Sequence, residues 1–241
     1  MPCKKIIIST KTTSSIMDII STTHTDIEYA DSLALQQQAF DLGVEAKKEG
    51  KSVQHRLFFN EHRPVITLGR HAKESNVLFS EAFLAQQGVS LFHISRGGDA
   101  TYHGPGQWTI YPVFDLEELG MGVREFVESL EEVAIRILAM YGLQGHRLPG
   151  ASGVWMHVDS PMPRKVAAIG IHCSRYITMH GMAFNVNTDP QAFHWINPCG
   201  FTDKGVTSLH LEVGHELSME TLRDRFEEVF SEVFGRKIIK Y

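Results

Sequence analysis

Arg96-Gly97-Gly98-Asp99-Ala100-Thr101-Tyr102-His103-Gly104-Pro105-Gly106-Gln107-Trp108 holds four glycines and one proline in thirteen residues. That composition makes a loop whose backbone approaches a ligand closely. The loop follows an alternating stretch, Val89–Ser95, and runs into a strand candidate, Gln107–Asp115. It lacks the Walker spacing and no helix signal follows it, so it does not read as a nucleotide cradle. An acyl or carbonyl substrate lying against exposed N–H groups suits it better. A pair of structural turns is the other reading.

Outward from this loop, strand and helix signals interleave without a βαβ period. Asp31 is placed to cap a helix on Leu33, Leu35, Ala39, Leu42 and Ala46, which Gly50 ends. Val53–Asn60 and Val65–Gly69 read as strands around Pro64, and Ser80–Gln87 as a short helix closed by Gly88. Pro112 assigns Gln107–Asp115 to an edge or a bulge. The strongest helical spacing runs over Val123–Tyr141, and another amphipathic helix covers Met219–Phe234. Short strands are expected near Val154–Val158, Lys165–Cys173 and Met179–Asn187. The order predicts an α+β fold with a mixed or antiparallel sheet and packed helices. Residues 1–26, rich in Ser and Thr, are expected as a flexible N-terminal extension, and residues 27–241 as a single domain.

The chain has 241 residues, 43% hydrophobic, with a net charge of −5, a composition that supports a core and excludes pervasive disorder. The charge argues against bulk binding to nucleic acid or an anionic membrane, and no apolar run approaches the ~20 residues of a bilayer span. Cys3, Cys173 and Cys199 form no CxxC pair, which fits a reducing, cytoplasmic setting. Thirteen histidines show neither HExxH nor paired CxxC spacing, so no metal site is expected. His103 and His180 stand out as polar groups near the Gly-rich segments. Lys165 opens an apolar strand, where it either sits over a pocket and moves protons or snorkels at an edge. Cys199, between Pro198 and Gly200, lies on a turn: either a nucleophile beside a cation or an inert thiol. Cys173 lies within a strand.

Together these segments resemble the octanoyl-[acyl-carrier-protein]:protein N-octanoyltransferases of lipoic acid synthesis. The loop Arg96–Gln107 resembles that family's signature. Lys165-Val166-Ala167-Ala168-Ile169-Gly170, His180-Gly181-Met182-Ala183-Phe184-Asn185 and Pro198-Cys199-Gly200 match its later motifs in order, with 34 residues from lysine to cysteine. The resemblance covers roughly Ile27 to Phe234. It implies a catalytic domain like that of biotin and lipoate ligases, with a small C-terminal lobe from about residue 190. It implies Cys199 as acyl-thioester nucleophile and Lys165 as its acid/base partner. Substrate binding is carried over to Arg96, Gly97, Gly98, Asp99, Ala100, Thr101, Tyr102 and His103, to Ala168, Ile169 and Gly170, and to Gly181, Met182 and Ala183.

The implied donor is octanoate on the phosphopantetheine arm of acyl carrier protein, with no cofactor. The implied acceptors are lysines of lipoyl domains in 2-oxoacid dehydrogenases and of the glycine cleavage H protein, and a monomer is expected. The alternatives are an ATP-dependent lipoate or octanoate ligase, an amidotransferase between lipoyl domains, and a non-catalytic carrier-protein binding module. A cysteine at position 199 favours the transferase over the ligase. Arg96, Arg164 and Arg175 flank the motifs and are expected to form a basic docking patch, while Lys47, Lys48 and Lys51 are expected to be a solvated helix end.

Overall fold

Alternating β-branched and aromatic residues build two sheets, and two amphipathic helices cover the larger. The computed structural model describes residues 17–197 and 204–241. Among these, the strands are β1 (Ile19–Ile27), β2 (Arg56–His62), β3 (Val65–Leu68), β4 (Ser90–His93), β5 (Ala100–His103), β6 (Gln107–Val113), β7 (His146–Leu148), β8 (Ala151–Met156), β9 (Arg164–Ser174), β10 (Ile177–Asn185), β11 (Gly205–Val206) and β12 (Ile238–Lys240). The helices are α1 (Tyr29–Lys48), α2 (Glu81–Gln86), α3 (Val123–Ala139), α4 (Leu209–Val213) and α5 (Met219–Phe234). The larger sheet runs β12-β1-β2-β6-β10-β9-β8-β7, with β11 also pairing β9; the smaller runs β4-β3-β5. Parallel pairs (β1 with β12 and β2, β3 with β4, β9 with β11) sit among antiparallel ones, so the sheets are mixed.

One face of the larger sheet packs on α3 and α5, where Phe59, Trp108, Phe126, Phe184, Phe226 and Phe230 form an aromatic core. The stretch from about residue 190, expected as a small lobe, sends α5 into this same core. The opposite face carries Phe58, Tyr111, Val113 and Ile177 against Ala39 and Phe40 of α1. Among the described residues no helix is long and apolar enough to cross a membrane.

Three expectations need correction. Residues 19–26 are not a flexible extension: β1 lies inside the larger sheet, Ile19 is fully buried, and Ser21 donates to Glu227 of α5. Threonine is a good strand former, so the Ser/Thr-rich pattern is that of a half-buried strand. The fully buried face of α1 is Tyr29, Ser32, Gln36, Ala39, Phe40 and Gly43; of the expected set Leu33, Leu35 and Ala46 pack against that core only partly buried, and Leu42 is 60% exposed. The polar members of that face are satisfied inside, where Ser32 Oγ accepts from Asn60 Nδ2 (3.0 Å) and Gln36 Oε1 from the His180 N–H (3.2 Å).

Pro112 is not on an edge strand, because β6 lies between β2 and β10. The β6–β10 ladder runs only from Met182–Ile110 to Asn185–Gln107, so the position opposite Pro112, His180, needs no proline N–H. His180 adopts φ +62° there and gives its own N–H to Gln36.

A register slip in β9 positions the functional end of the sheet. Val154 faces Ala167, but Trp155 faces Lys165 and Met156 faces Arg164, so Val166 is one residue more than β8 has. Strict alternation would turn Lys165 into the α3/α5 core with Ala167 and Ile169. Instead Val166 and Ala167 are both fully buried in that core, and Lys165 emerges on the side of Ala168 and Gly170. Gly153 on β8 permits the slip: its φ is +114°, and a Cβ there would lie 2.3 Å from the Ala167 carbonyl. Gly153→Ala is expected to cost about 1–3 kcal/mol. An unchanged urea midpoint would contradict this tight approach.

Candidate active site

Cross-strand pairs Ala168–Ala183 and Gly170–Gly181 place four small residues side by side on the face away from α3 and α5. With so little side chain, that strip leaves a slot between the larger sheet and β5. The cavity holds about 530 Å³, part of it open to solvent. Ile94, Arg96, Gly98, Asp99, Ala100, Thr101 and His103 form its other wall. Ile169 and Met182 border it too, while their side chains pack in or against the α3/α5 core. Lys165 lies at one end. Gly170 and the neighbouring His180 lie about 15 Å further along, at ~3.3 Å per strand residue.

The Lys165 Nζ donates to the Ser152 carbonyl at 3.1 Å and lies 4.6 Å from the centre of the Trp155 ring. That ring is itself fixed by its Nε1–H on the Ala151 carbonyl (2.9 Å). β11 holds the lysine backbone from the other side, where Thr207 N–H donates to the Lys165 carbonyl at 3.0 Å. The carbonyl and the ring face together fix the direction of the Lys165 side chain.

A buried chain of hydrogen bonds ties the motifs to one another. Arg96 Nη2 donates to the Thr67 carbonyl (2.7 Å) and hydroxyl (3.0 Å). Thr67 Oγ1 donates to His103 Nε2 (3.3 Å), and His103 Nδ1 to Gln107 Oε1 (2.8 Å). Gln107 Nε2 donates to Asn185 Oδ1 (2.9 Å), and Asn185 Nδ2 to the Thr207 carbonyl (3.0 Å). Thr67, His103, Gln107 and Asn185 each find partners within it, so the chain survives burial and locks loop, slot and β11 together. Burial, then the charge of neighbouring histidine, holds the His103 imidazole well below its usual range. Burial, followed by the charge of Arg96, lowers His180 to about 3. Burial lowers His62 to about 4, and His62 Nε2 accepts from the Tyr111 hydroxyl at 2.9 Å. The site is therefore lined by neutral imidazoles.

Of the residues expected at the site, Lys165, Arg96, Gly98, Asp99, Ala100, Thr101, His103, Ala168, Ile169, Gly170, Gly181, Met182 and Ala183 all border this cavity. Gly97 borders the adjoining cleft and donates its N–H to the Ile171 carbonyl. Tyr102 is a correction: its ring packs edge-on against Phe193 in the core beneath the smaller sheet. Alternation along β5 sends Thr101 and His103 one way and Tyr102 the other. Cys199, with Pro198 and Gly200, lies outside the described residues. Tyr29, Tyr111 and Ile94 border the cavity and were not anticipated. Tyr29 opens α1 with no motif around it, while Tyr111 was accessible through its alternation with Thr109.

The expected basic patch also changes. Arg96 is buried, and Arg164 reaches Glu212 at 3.3 Å. Lys47 is not a solvated helix end, since it holds Asp115 and Glu117, each at 2.7 Å. Cys173 is a half-buried strand thiol whose pKa burial pushes up.

An α+β domain with an Ala/Gly-floored slot ending at a fixed lysine has the shape to take an extended apolar chain. The family model for the lipoyl protein ligase A/B catalytic domain matches residues 28–231. An octanoyltransferase of Parabacteroides distasonis is 51% identical over 210 residues, covering 87% of this chain and 95% of that protein. One from Bacteroides fragilis is 49% identical over 209 residues, covering 87% and 95%. Among solved structures, an archaeal bipartite lipoate protein ligase from Thermoplasma acidophilum superposes with a TM-score of 0.70 at 16% identity, covering 94% of this chain and 87% of that one. A lipoate-protein ligase A bound with ATP gives 0.67 at 18% identity, covering 94% and 89%. The chain belongs to the lipoyl protein ligase A/B family and, within it, to the octanoyltransferases. It is an acyltransferase enzyme, and octanoyl transfer in protein lipoylation is the activity its relatives support.

The neutral histidines predict a pH dependence of stability. His62 and His180 bind protons near pH 6.5 when unfolded, but at about 4 and about 3 when folded. Below pH 6.5 the unfolded chain binds more protons, so their stabilising contribution is complete above 6.5 and lost as pH falls toward 4. The urea midpoint is expected to drop between pH 7 and 5, and to drop less in His62→Gln. Parallel curves for the two proteins would contradict the buried neutral state of His62.

Proposed function

We propose that the chain moves octanoate from acyl carrier protein to a lipoyl-domain lysine through a thioester on Cys199. The observation that carries this reading is an Ala/Gly-floored slot leading to a fixed Lys165, in a chain 51% identical to an octanoyltransferase. An eight-carbon chain laid on that strip is desolvated at ~0.8 kcal/mol per CH₂. The Cys199 thiolate attacks the donor's carbonyl carbon, a new C–S bond forms, and the donor's C–S bond breaks, the departing thiolate taking a proton from the Lys165 ammonium and leaving as thiol with the lysine neutral. Protonated Lys165 favours the attacking thiolate. In the second half the acceptor amine attacks the acyl-cysteine carbonyl and the Cys199 thiolate leaves. Neutral Lys165 takes the proton that the amine must shed. Thioester replaces thioester and then yields amide, which is downhill without ATP or any cofactor. The acceptors are lipoyl domains of 2-oxoacid dehydrogenases and the glycine cleavage H protein, and the setting is a reducing cytoplasm.

Intact mass after incubation with octanoyl-acyl carrier protein tests the reading. A gain of one octanoyl group without ATP is expected. Cys199→Ala should lose it, and Cys173→Ala should retain it. A strict ATP requirement would assign the chain to the ligases instead.

Lys165→Arg supplies the second test, because guanidinium keeps the charge and cannot accept a proton. It should reduce transfer to the lipoyl domain by orders of magnitude while the protein stays folded. Full activity in that variant would limit the lysine to a fixed charge.

A further inference from the structure

A second opening meets the acyl slot at Lys165. It is a solvent-open cleft of about 1020 Å³ between Gly97–Gly98 and Gly150 with the start of β8 (Ala151, Ser152), with Val127 and Ile171 on its walls. Lys165, Gly98 and Gly170 border both cavities. Near the lysine the cleft is mostly uncharged. Its carboxylate, Asp99, is turned to Asn76 Nδ2 (2.9 and 2.7 Å) and the Ala100 N–H (2.7 Å).

A cation flanks this cleft: His71 borders it, and Arg70, the residue before His71 and hydrogen-bonded to His172 next to the lining Ile171, is exposed. Arg70 Nη2 donates to His172 Nδ1 at 3.0 Å, and among the described residues no carboxylate pairs with it. Arg63, Arg124, Arg136 and Arg147, by contrast, all face carboxylates. With a chain charge of −5, an anion finds its attraction here only locally.

We propose that this cleft receives the arm bearing the acyl thioester, and that Arg70 holds the phosphodiester at the arm's outer end. The inference rests on the octanoyl-carrier reading above. If the acyl chain fills the slot, the thioester lies at Lys165, and its carrier must leave by another path from that point. Among the described residues the cleft is an open path from that point. A phosphopantetheine arm is uncharged and amide-bearing along most of its length and anionic where it joins its carrier. That order suits a cleft whose wall beyond Lys165 is mostly uncharged and whose flank carries Arg70.

Three small donors test this: octanoyl-phosphopantetheine, octanoyl-pantetheine without the phosphate, and octanoyl-N-acetylcysteamine. The readout is kcat/KM for thiol release. The wild-type protein should favour the phosphorylated donor over the pantetheine donor by about tenfold, the scale of one charge-assisted hydrogen bond. Arg70→Ala should bring the phosphorylated donor down to the pantetheine value, and Arg70→Lys should keep part of the difference. Equal use of the two by the wild type would overturn the inference, as would an Arg70→Ala loss seen only with whole carrier protein, since the arginine would then read the carrier's surface. Failure of every donor to acylate the protein would sink the transferase reading and this inference with it.

Discussion

One extra residue in one strand decides which side of the sheet the site lysine occupies. Val166 has no counterpart on β8, and its side chain and that of Ala167 enter the same core. A ladder interrupted in this way loses regular pairing, and burial of a valine side chain offsets part of the loss. The interruption is held from both sides. Glu131 of α3 accepts the N–H of Gly153 at 2.9 Å, and β11 pairs with Arg164 and Lys165. Lys165 therefore points into the slot because of backbone register, and Trp155, brought opposite it by the same slip, then fixes its direction.

The slot depends on a second constraint, buried polar groups that have few alternatives. Arg96 carries its charge into the interior, a costly placement that backbone carbonyls of Thr67 and Gly97 offset. From there the hydrogen bonds pass through Thr67, His103, Gln107 and Asn185 to Thr207, beside the lysine's own strand. Four sequence segments that look separate are thus one network. Losing any member strands its neighbours in a medium without water, which explains why glutamine and asparagine stand where a core would take leucine.

Much of the fold was legible because period and burial coincide. α5 begins and ends where its apolar spacing does, and α3 stops two residues short of its predicted end. Reading failed where polar residues are buried or tertiary pairing overrides composition. β1 looked like a loose tail because Ser21, Thr22 and Thr23 are polar, yet its neighbours pair on both sides. On α1 Leu33 and Leu35 do pack against the core, but Leu42 is exposed, and Ser32 and Gln36 face inward to partners on other strands. The motifs led to the segments that border the cavity, except that Tyr102 turns away from it, while Cys199 lies outside the described residues. The turn of Lys165 onto the slot was not, because a register slip leaves no mark on β9 alone and needs the sequence of β8 to be seen.

A crystal structure of the protein after reaction with octanoyl-pantetheine tests the account most directly. The account predicts the acyl chain lying over Ala168, Gly170, Gly181 and Ala183, its carbonyl within hydrogen-bond reach of Lys165 Nζ, and Val166 buried beside Ala167. An acyl chain lodged elsewhere, or an unbroken β8–β9 register with Lys165 on the α3/α5 side, would contradict it.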